Sequence, residues 1–421
     1  MPVLVKFFRN VFGGTISMFT SLRGNSRACV IVEPMWTIFF VMVNFYQTLY
    51  MKELGLTEEQ IGLIASLGFA SSTISSLIGG PITDKLGRKK TSLIFDIVSW
   101  SCSMLIWAFS QNIWFFLAAA LVNGMGKIVF VSWTCLVVED ASNDEKVSCF
   151  TILNMISLVC GVFTPVAGLL VKLIGLVPAL RLLYFLGFIS MTAMFFIRNA
   201  WVNETALGRR IMEEHGSFTI AQRVADYLDA LRYLASKPQA ILLLFVNILT
   251  NFSIGINIYY AIYIKEKLLI DQSLVSILPG VASIVMIISV VFVIPRLKGK
   301  DLVNNLILGF SITTAGWLIF IITPAGNLVQ LIVSSAVTAL GTSIINPFRD
   351  TAWNNSIGEK ERAKIFSFGQ TLVSLALIPS GMFAASMYRI NPVYPFAFIA
   401  LIFAACLLMA AVVRKKIERQ A

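Results

Sequence analysis

The sequence has few charged residues and few metal-binding side chains. Asp, Glu, Lys and Arg make up 13% of the 421 residues, whereas a soluble domain has about 25%. There is one histidine, and the six cysteines are scattered through apolar runs, so no cluster has the spacing of a zinc site or a redox dithiol. No nucleophile, base and orienting group can be assembled. The composition therefore excludes a soluble protein and argues against a metal, a cofactor or an enzymatic activity.

Long apolar runs dominate the chain instead. Hydrophobic residues account for 57% of it, including 32 Phe, and a helix of about 20 apolar residues crosses a bilayer. The runs predict an all-α membrane protein with both ends of the chain on one side. The twelve predicted transmembrane helices lie at residues 29–51, 59–80, 91–110, 113–138, 148–171, 181–198, 240–264, 273–295, 302–323, 326–348, 365–388 and 393–413.

The basic residues indicate the orientation in the membrane. The net charge is +11, but the Lys and Arg residues are spread over short tracts between apolar runs, which argues against a nucleic-acid partner. The odd-numbered loops hold few of the 33 basic residues, namely Lys52, Lys172, Arg181, Lys265, Lys267 and Arg389. Because cytoplasmic loops are rich in Lys and Arg, both termini are predicted to be cytoplasmic. Short outer loops without a disulfide framework favour a prokaryotic inner membrane.

The chain divides into two halves around a long polar break. We predict an interfacial segment at 1–28, a six-helix bundle at 29–198, a cytoplasmic helical linker at 199–239, a second six-helix bundle at 240–413 and a basic tail at 414–421. Residues 44–53 (NFYQTLYMKE) and 257–266 (NIYYAIYIKE) match at five of ten positions. Because both segments end the first span of a half, they indicate an internal duplication and two pseudo-symmetric bundles.

A motif lies in the loop between spans 2 and 3. Residues 80–90 (GPITDKLGRKK) fit the pattern G-x3-D-[KR]-x-G-R-[KR]. This pattern, its position and the twelve spans resemble the major facilitator superfamily across the whole chain. The resemblance implies a functional monomer that works by alternating access between its halves, with a binding site near the midplane.

The motif residues are predicted to form a gate. Gly80 allows close helix packing and Gly87 a tight turn. The resemblance implies that Asp84 faces the N-terminus of span 11 near Ile365, where a helix dipole favours negative charge. It also implies that Arg88 pairs with an acid at the end of span 4, which is Glu139 or Asp140 here. The alternative is a basic loop that only sets topology.

Only Glu33, Asp96 and Lys127 lie clearly within the predicted spans, away from their ends. Ionisable groups at such depth are costly and usually functional. Lys127, which shares a helix face with Asn123, is a candidate for substrate binding, with a static ion pair as the alternative. Glu33 is a candidate proton carrier, because a carboxyl group in a low-dielectric cleft can hold a proton near neutral pH. It competes with a structural pairing to Arg27 or Lys127. For Asp96 we favour a structural pairing with the basic loop before it.

Polar side chains recur at helical spacing in the spans that line the central cavity in the superfamily. The second half has no ionisable residue deep in any predicted span. Asparagine in lipid needs hydrogen-bond partners, so these stripes predict a wet cavity between the halves. Besides Lys127 and Asn123, the candidate substrate-binding residues are Asn44, Asn247, Asn251, Asn257, Thr338 and Thr342.

The preferred function is a secondary active transporter for a small polar solute. One cation among amides and hydroxyls favours a sugar, a glycoside or an organic anion, and protons are a plausible coupling ion. The alternative is a multidrug efflux antiporter, which a partial antiporter-like motif with Gly161, Thr164, Pro165 and Gly168 suggests. A non-transporting solute sensor is a third interpretation. Membrane lipid is the other expected partner.

Overall fold

The computed structural model describes residues 17–213, 229–297, 299, 301–357 and 362–418. The predicted segment at 1–28, the linker at 199–239 and the tail at 414–421 therefore lie partly outside the described residues. Twelve described helices are long and apolar enough to cross a membrane. They are α1 (Gly24–Asn44), α2 (Glu58–Leu86), α3 (Arg88–Ala108), α4 (Ile113–Val138), α5 (Asn143–Ile174), α6 (Leu176–Trp201), α7 (Pro238–Glu266), α8 (Gln272–Leu297), α9 (Leu302–Ile321), α10 (Leu328–Ser356), α11 (Phe368–Ile390) and α12 (Tyr394–Val412).

The predicted all-α membrane fold is confirmed, although several helices have different ends. The first helix begins at Gly24 and ends at Asn44, and a separate short helix, Gln47–Glu53, follows it. Helix α6 continues to Trp201 and α10 to Ser356. The extension of α10 takes Arg349 into the helix, and Arg198, the last residue of predicted span 6, now lies three residues before the end of α6. Each arginine has a polar partner on another helix.

We call the membrane face at which α1 begins and α12 ends the terminal face, and the other the opposite face. Helix α2 packs on α11, and α5 packs on α8, where the two bundles meet. A Cβ on Gly62 would lie 2.7 Å from the Gly381 carbonyl oxygen, so the backbones of α2 and α11 touch. This interface holds the bundles together on the opposite face.

Candidate functional site

Two adjoining cavities lie between the bundles. The larger, of about 420 Å³, is lined by polar residues of both halves together with Phe45, Trp107 and Tyr260. The smaller, of about 230 Å³, shares Phe45, Asn257 and Tyr260 with it and extends toward α10. No Asp, Glu, Lys, Arg or His is among the described residues that line either cavity.

The structure brings most of the predicted binding residues to these cavities. Asn44, Asn123 and Asn257 line the larger one, and Thr338 and Thr342 line the smaller. The Nδ2 of Asn123 also donates to the Ser99 carbonyl oxygen at 3.1 Å. Sequence reasoning missed the polar residues Gln47, Thr48 and Ser72 of the larger cavity; the first two follow Asn44 by one helical turn, which was the available signal.

Asn257 is the most distinctive of these residues. It lies where the two cavities adjoin, in a 3-10 turn, Asn257–Tyr259, that interrupts α7. Its side-chain carbonyl oxygen is buried and has no hydrogen-bond donor in the described part of the protein. A buried acceptor without a donor is costly, so this oxygen is available to a bound solute.

Three predicted binding residues lie elsewhere. Asn251 donates its Nδ2 to the side-chain oxygen of Asn247 at 3.0 Å, so the two amides contact each other on the same helix. Neither they nor Lys127 are among the described residues lining the two cavities. Lys127 is exposed, and its Nζ lies 5.7 Å from the centroid of the Phe130 ring.

A third cavity, of about 150 Å³, lies within the N-terminal bundle among α1, α3, α4 and α6. Glu33, Asp96 and Arg198 line it. Asp96 forms a buried ion pair with Arg198, and not with the basic loop as expected. Arg198 is the last residue of predicted span 6, but helix α6 continues past it to Trp201, and the carboxylate offsets the cost of burying the charge of Arg198.

The C-terminal bundle holds a largely buried arginine directly after the predicted end of span 10. Arg349 lies inside α10, and its Nη1 donates to the Thr250 hydroxyl on α7 at 3.0 Å. Its Nη2 pairs with Asp350 at 3.0 Å. These polar contacts allow the helix to continue past the predicted end at residue 348.

The motif loop at the terminal face is centred on Arg88, which is 3% exposed. Its guanidinium lies 3.1 Å from Glu139 and 3.2 Å from Asp84. Of the two acids expected as partners, Glu139 makes the ion pair. Asp140 accepts a hydrogen bond from the backbone N–H of Ala206 at 3.3 Å. The contact of Asp84 with the start of span 11 stays a prediction.

Two glycines shape this loop. Gly87 has φ +83°, and a Cβ there would lie 2.7 Å from the Oε2 of Glu204, so the tight turn requires glycine. Gly80 lies inside α2, but its neighbour Gly79 makes the close approach to α4: a Cβ on it would lie 3.2 Å from the Ile128 Cα.

Sequence reasoning missed Glu204, which follows α6. Its carboxylate accepts the backbone N–H groups of Arg88 at 3.0 Å and Lys89 at 2.9 Å. It therefore caps α3, whose first turn is basic and has no acidic residue. Because a helix N-terminus favours negative charge, this basic first turn was the signal that an acid must come from elsewhere. Thr205 also donates its hydroxyl to Glu139, which ties the start of the linker to the motif loop.

Comparison with known proteins agrees with this geometry. The family model described as "Major Facilitator Superfamily" matches residues 35–302. The chain belongs to this superfamily. The members of the superfamily to which the chain is similar are transporters. This agrees with the prediction that the protein is not an enzyme.

The curated relatives match only part of the chain. The multidrug resistance protein MdtG of Serratia proteamaculans is 31% identical over 129 residues, which are 30% of this chain and 28% of that protein. The quinolone resistance protein NorA of Staphylococcus aureus is 29% identical over 108 residues, or 25% of this chain and 28% of NorA. The chain thus aligns with less than a third of the length of these relatives.

Solved structures share the fold along nearly the whole chain. The nucleoside transporter NupG has a TM-score of 0.70 at 13% identity, covering 93% of this chain and 98% of NupG. The human organic anion transporter MFSD10 has a TM-score of 0.63 at 14% identity, covering 92% of this chain and all of that one. These similarities confirm two six-helix bundles of the superfamily type.

Proposed function

We propose that the protein is a secondary active transporter that moves an uncharged polar solute, a sugar or glycoside, by alternating access. The solute binds in the two cavities between the bundles. The observation that carries the proposal is the buried Asn257 oxygen without a donor, at the junction of these cavities. A hydroxyl or amine N–H of a solute supplies the missing donor.

The lining narrows the solute class. The amides of Asn44, Gln47 and Asn123 and the hydroxyls of Thr48 and Ser72 line the larger cavity, and they hydrogen-bond to solute hydroxyls without needing charge. An organic anion, by contrast, would leave its charge without a cation in these linings. The rings of Trp107 and Tyr260 add flat apolar surface on which a sugar or a planar aglycone can stack.

The remaining features complete the proposal. The terminal face is cytoplasmic in an inner membrane, and the chain works as a monomer with bundles at 29–198 and 240–413. Protons couple transport through Glu33. The motif residues Gly80, Asp84, Gly87, Arg88, Glu139 and Asp140 gate the cytoplasmic side, because their contacts stabilise one state and must break in the other.

Thermal unfolding of the purified protein tests the solute class. A solute that binds only the folded state raises the melting temperature. We expect a rise with sugars or nucleosides, no rise with organic anions, and loss of the rise in Asn257→Leu. Asn355→Leu, at an exposed position of α10, is the matched control. We expect this variant to keep the rise in melting temperature. A response only to organic anions that disappears in Lys127→Ala would contradict the proposal.

Multidrug efflux is the second candidate function. The curated relatives bear drug-resistance names, and the aromatic lining of the larger cavity can also hold a planar drug. Energised vesicles loaded with a lipophilic dye distinguish the two functions. Extrusion that depends on this protein favours efflux, whereas uptake of a labelled nucleoside or sugar favours the first proposal. Binding without flux would instead indicate a sensor.

A further inference from the structure

We propose that the N-terminal bundle contains a hydrated proton site, in which Arg198 is shared between the carboxylates of Asp96 and Glu33. The site is the 150 Å³ cavity among α1, α3, α4 and α6, separate from the cavities that bind the solute. The inference deepens the proton coupling proposed above and rests on it. It assigns proton coupling to the N-terminal bundle and adds Asp96 and Arg198 to Glu33 as residues of the proton site.

With both carboxylates ionised, the three charged groups of the cavity have a net charge of −1. The side chains of Arg198 and Asp96 are 4% and 3% exposed and neutralise each other. Glu33 lines the same cavity, and its carboxylate makes no hydrogen bond or ion pair with any described residue. An uncompensated charge at bilayer depth is costly, and a single proton makes the three groups neutral together.

Other titratable groups lie near Glu33. The thiols of Cys29, on the same helix as Glu33, and of Cys149 and Cys160, on α5, lie close enough to interact with Glu33. A protonated thiol carries no charge and does not alter the balance. Lys127 is one turn before Phe130, whose ring lines the cavity, but Lys127 is absent from its described lining.

Two unpartnered donors indicate that the cavity is wet. The indole N–H groups of Trp36 and Trp133 are buried without an acceptor among the described residues, and both rings line the cavity. A water molecule takes about 30 Å³ of liquid volume and bridges otherwise unsatisfied buried polar groups. A few waters here accept from the indoles and give Glu33 a path for its proton.

The proton step changes only O–H and hydrogen bonds. When Glu33 binds a proton from water, an O–H bond forms on its carboxyl group and Arg198 pairs with Asp96 alone. When Glu33 returns the proton to water, the guanidinium, which has five N–H donors, bridges both carboxylates. Asp96 directly precedes a π-helical segment of α3, Ile97–Cys102, an irregularity often found at functional sites.

A double-mutant cycle on the full-length protein tests the sharing. Thermal unfolding is measured for Glu33→Gln, Asp96→Asn and the double variant. Each single variant leaves Arg198 one carboxylate, whereas the double variant leaves none. We expect the melting temperature of the double variant to fall by more than the sum of the single decreases, since groups in one network are not additive. Additive decreases would overturn the sharing. Glu59→Gln, an exposed carboxyl on the opposite face, is the matched control.

Infrared spectroscopy provides a readout that protein stability does not determine. The stretching band of a protonated carboxylic acid is compared in mildly acidic and mildly alkaline buffer. We expect a band in the wild type that disappears in Glu33→Gln and persists in Glu59→Gln. An unchanged band in Glu33→Gln overturns the proton site. Because Glu33→Gln leaves the solute cavities intact, retained solute binding in this variant separates failure of this inference from failure of the proposed function.

Discussion

The two bundles share a broken first helix but differ in their interior charges. Helix α1 stops at Asn44, and α7 is interrupted at the aligned position by the turn Asn257–Tyr259. After each break a tyrosine reaches the other bundle: Tyr46 donates to the Gln272 carbonyl oxygen at 2.9 Å and Tyr259 to that of Glu58 at 2.6 Å. The acceptors begin α8 and α2, so the duplicated halves keep symmetric contacts on the opposite face.

The difference lies at the terminal face and inside the bundles. In the N-terminal half, Glu204 from the linker caps α3, whereas in the C-terminal half Asp301 caps α9 from the adjacent position, accepting the Val303 N–H at 3.0 Å. The buried pair Asp96–Arg198 has no counterpart among the described residues of the C-terminal half. Symmetry is kept where the bundles touch, and the charges that we assign to gating and coupling are concentrated in one of them.

The largest expected effect is the removal of Arg88. Arg88→Ala leaves Glu139, whose side chain is 9% exposed, without its cation, and breaking a buried pair costs about 3–5 kcal/mol. Arg296→Ala, in the corresponding loop of the other half, changes an exposed residue and stays within about 0.5 kcal/mol. Thermal unfolding and transport in proteoliposomes measure both variants. Equal losses would show that the two loops are equivalent.

The next effect concerns the contact between the bundles. In Gly62→Ala the new methyl group meets Gly381 and Ala385 at less than 3 Å, and such overpacking costs about 1–3 kcal/mol. We expect the opposite face to open, with a longer distance between spin labels at positions 59 and 389. Gly68→Ala is the control, because its methyl group makes an ordinary contact with Ala120. An unchanged distance in Gly62→Ala would contradict the assigned interface.

The two loop glycines separate backbone strain from the contact with Glu204. Both Gly87 and Gly299 have positive φ, at +83° and +85°, so alanine is strained at each, at a cost of about 1–3 kcal/mol. Only at Gly87 does the methyl group also displace the Glu204 carboxylate, because the space around Gly299 is open. Chemical denaturation should therefore give a lower free energy of unfolding for Gly87→Ala than for Gly299→Ala. Equal stabilities would show that the contact with Glu204 does not stabilise the loop.

The smallest effect tests the symmetry itself. Tyr46→Phe and Tyr259→Phe each remove one hydrogen bond between the bundles, worth about 1 kcal/mol. We expect equal decreases in the free energy of unfolding, and additive decreases in the double variant, because the two bonds join different helix pairs. A clear inequality would mean that the two halves do not close the opposite face symmetrically.

The sequence predicted the spans and the motif loop because both depend on local patterns. Apolar runs set the helices, and the family resemblance implied that Arg88 pairs with Glu139 or Asp140, between which only the structure chooses. The sequence did not predict the partners of Arg198, the last residue of one predicted span, and of Arg349, the first residue after another. Whether a buried arginine is tolerated depends on a partner from another helix, Asp96 or Thr250. The pairing of Asn251 with Asn247 across one helical turn was likewise not predicted, and neither residue is among the described residues lining the two cavities.

By itself, the sequence determined a twelve-helix membrane protein of two related halves, because lipid requires long apolar helices whatever packs beside them. It also fixed which loop carries the motif. Only the tertiary structure decided which polar groups face a cavity, which pair with each other and which cap a distant helix. These choices depend on distances between residues far apart in the chain, such as Glu204 and Arg88, because hydrogen bonds and ion pairs act over a few ångströms.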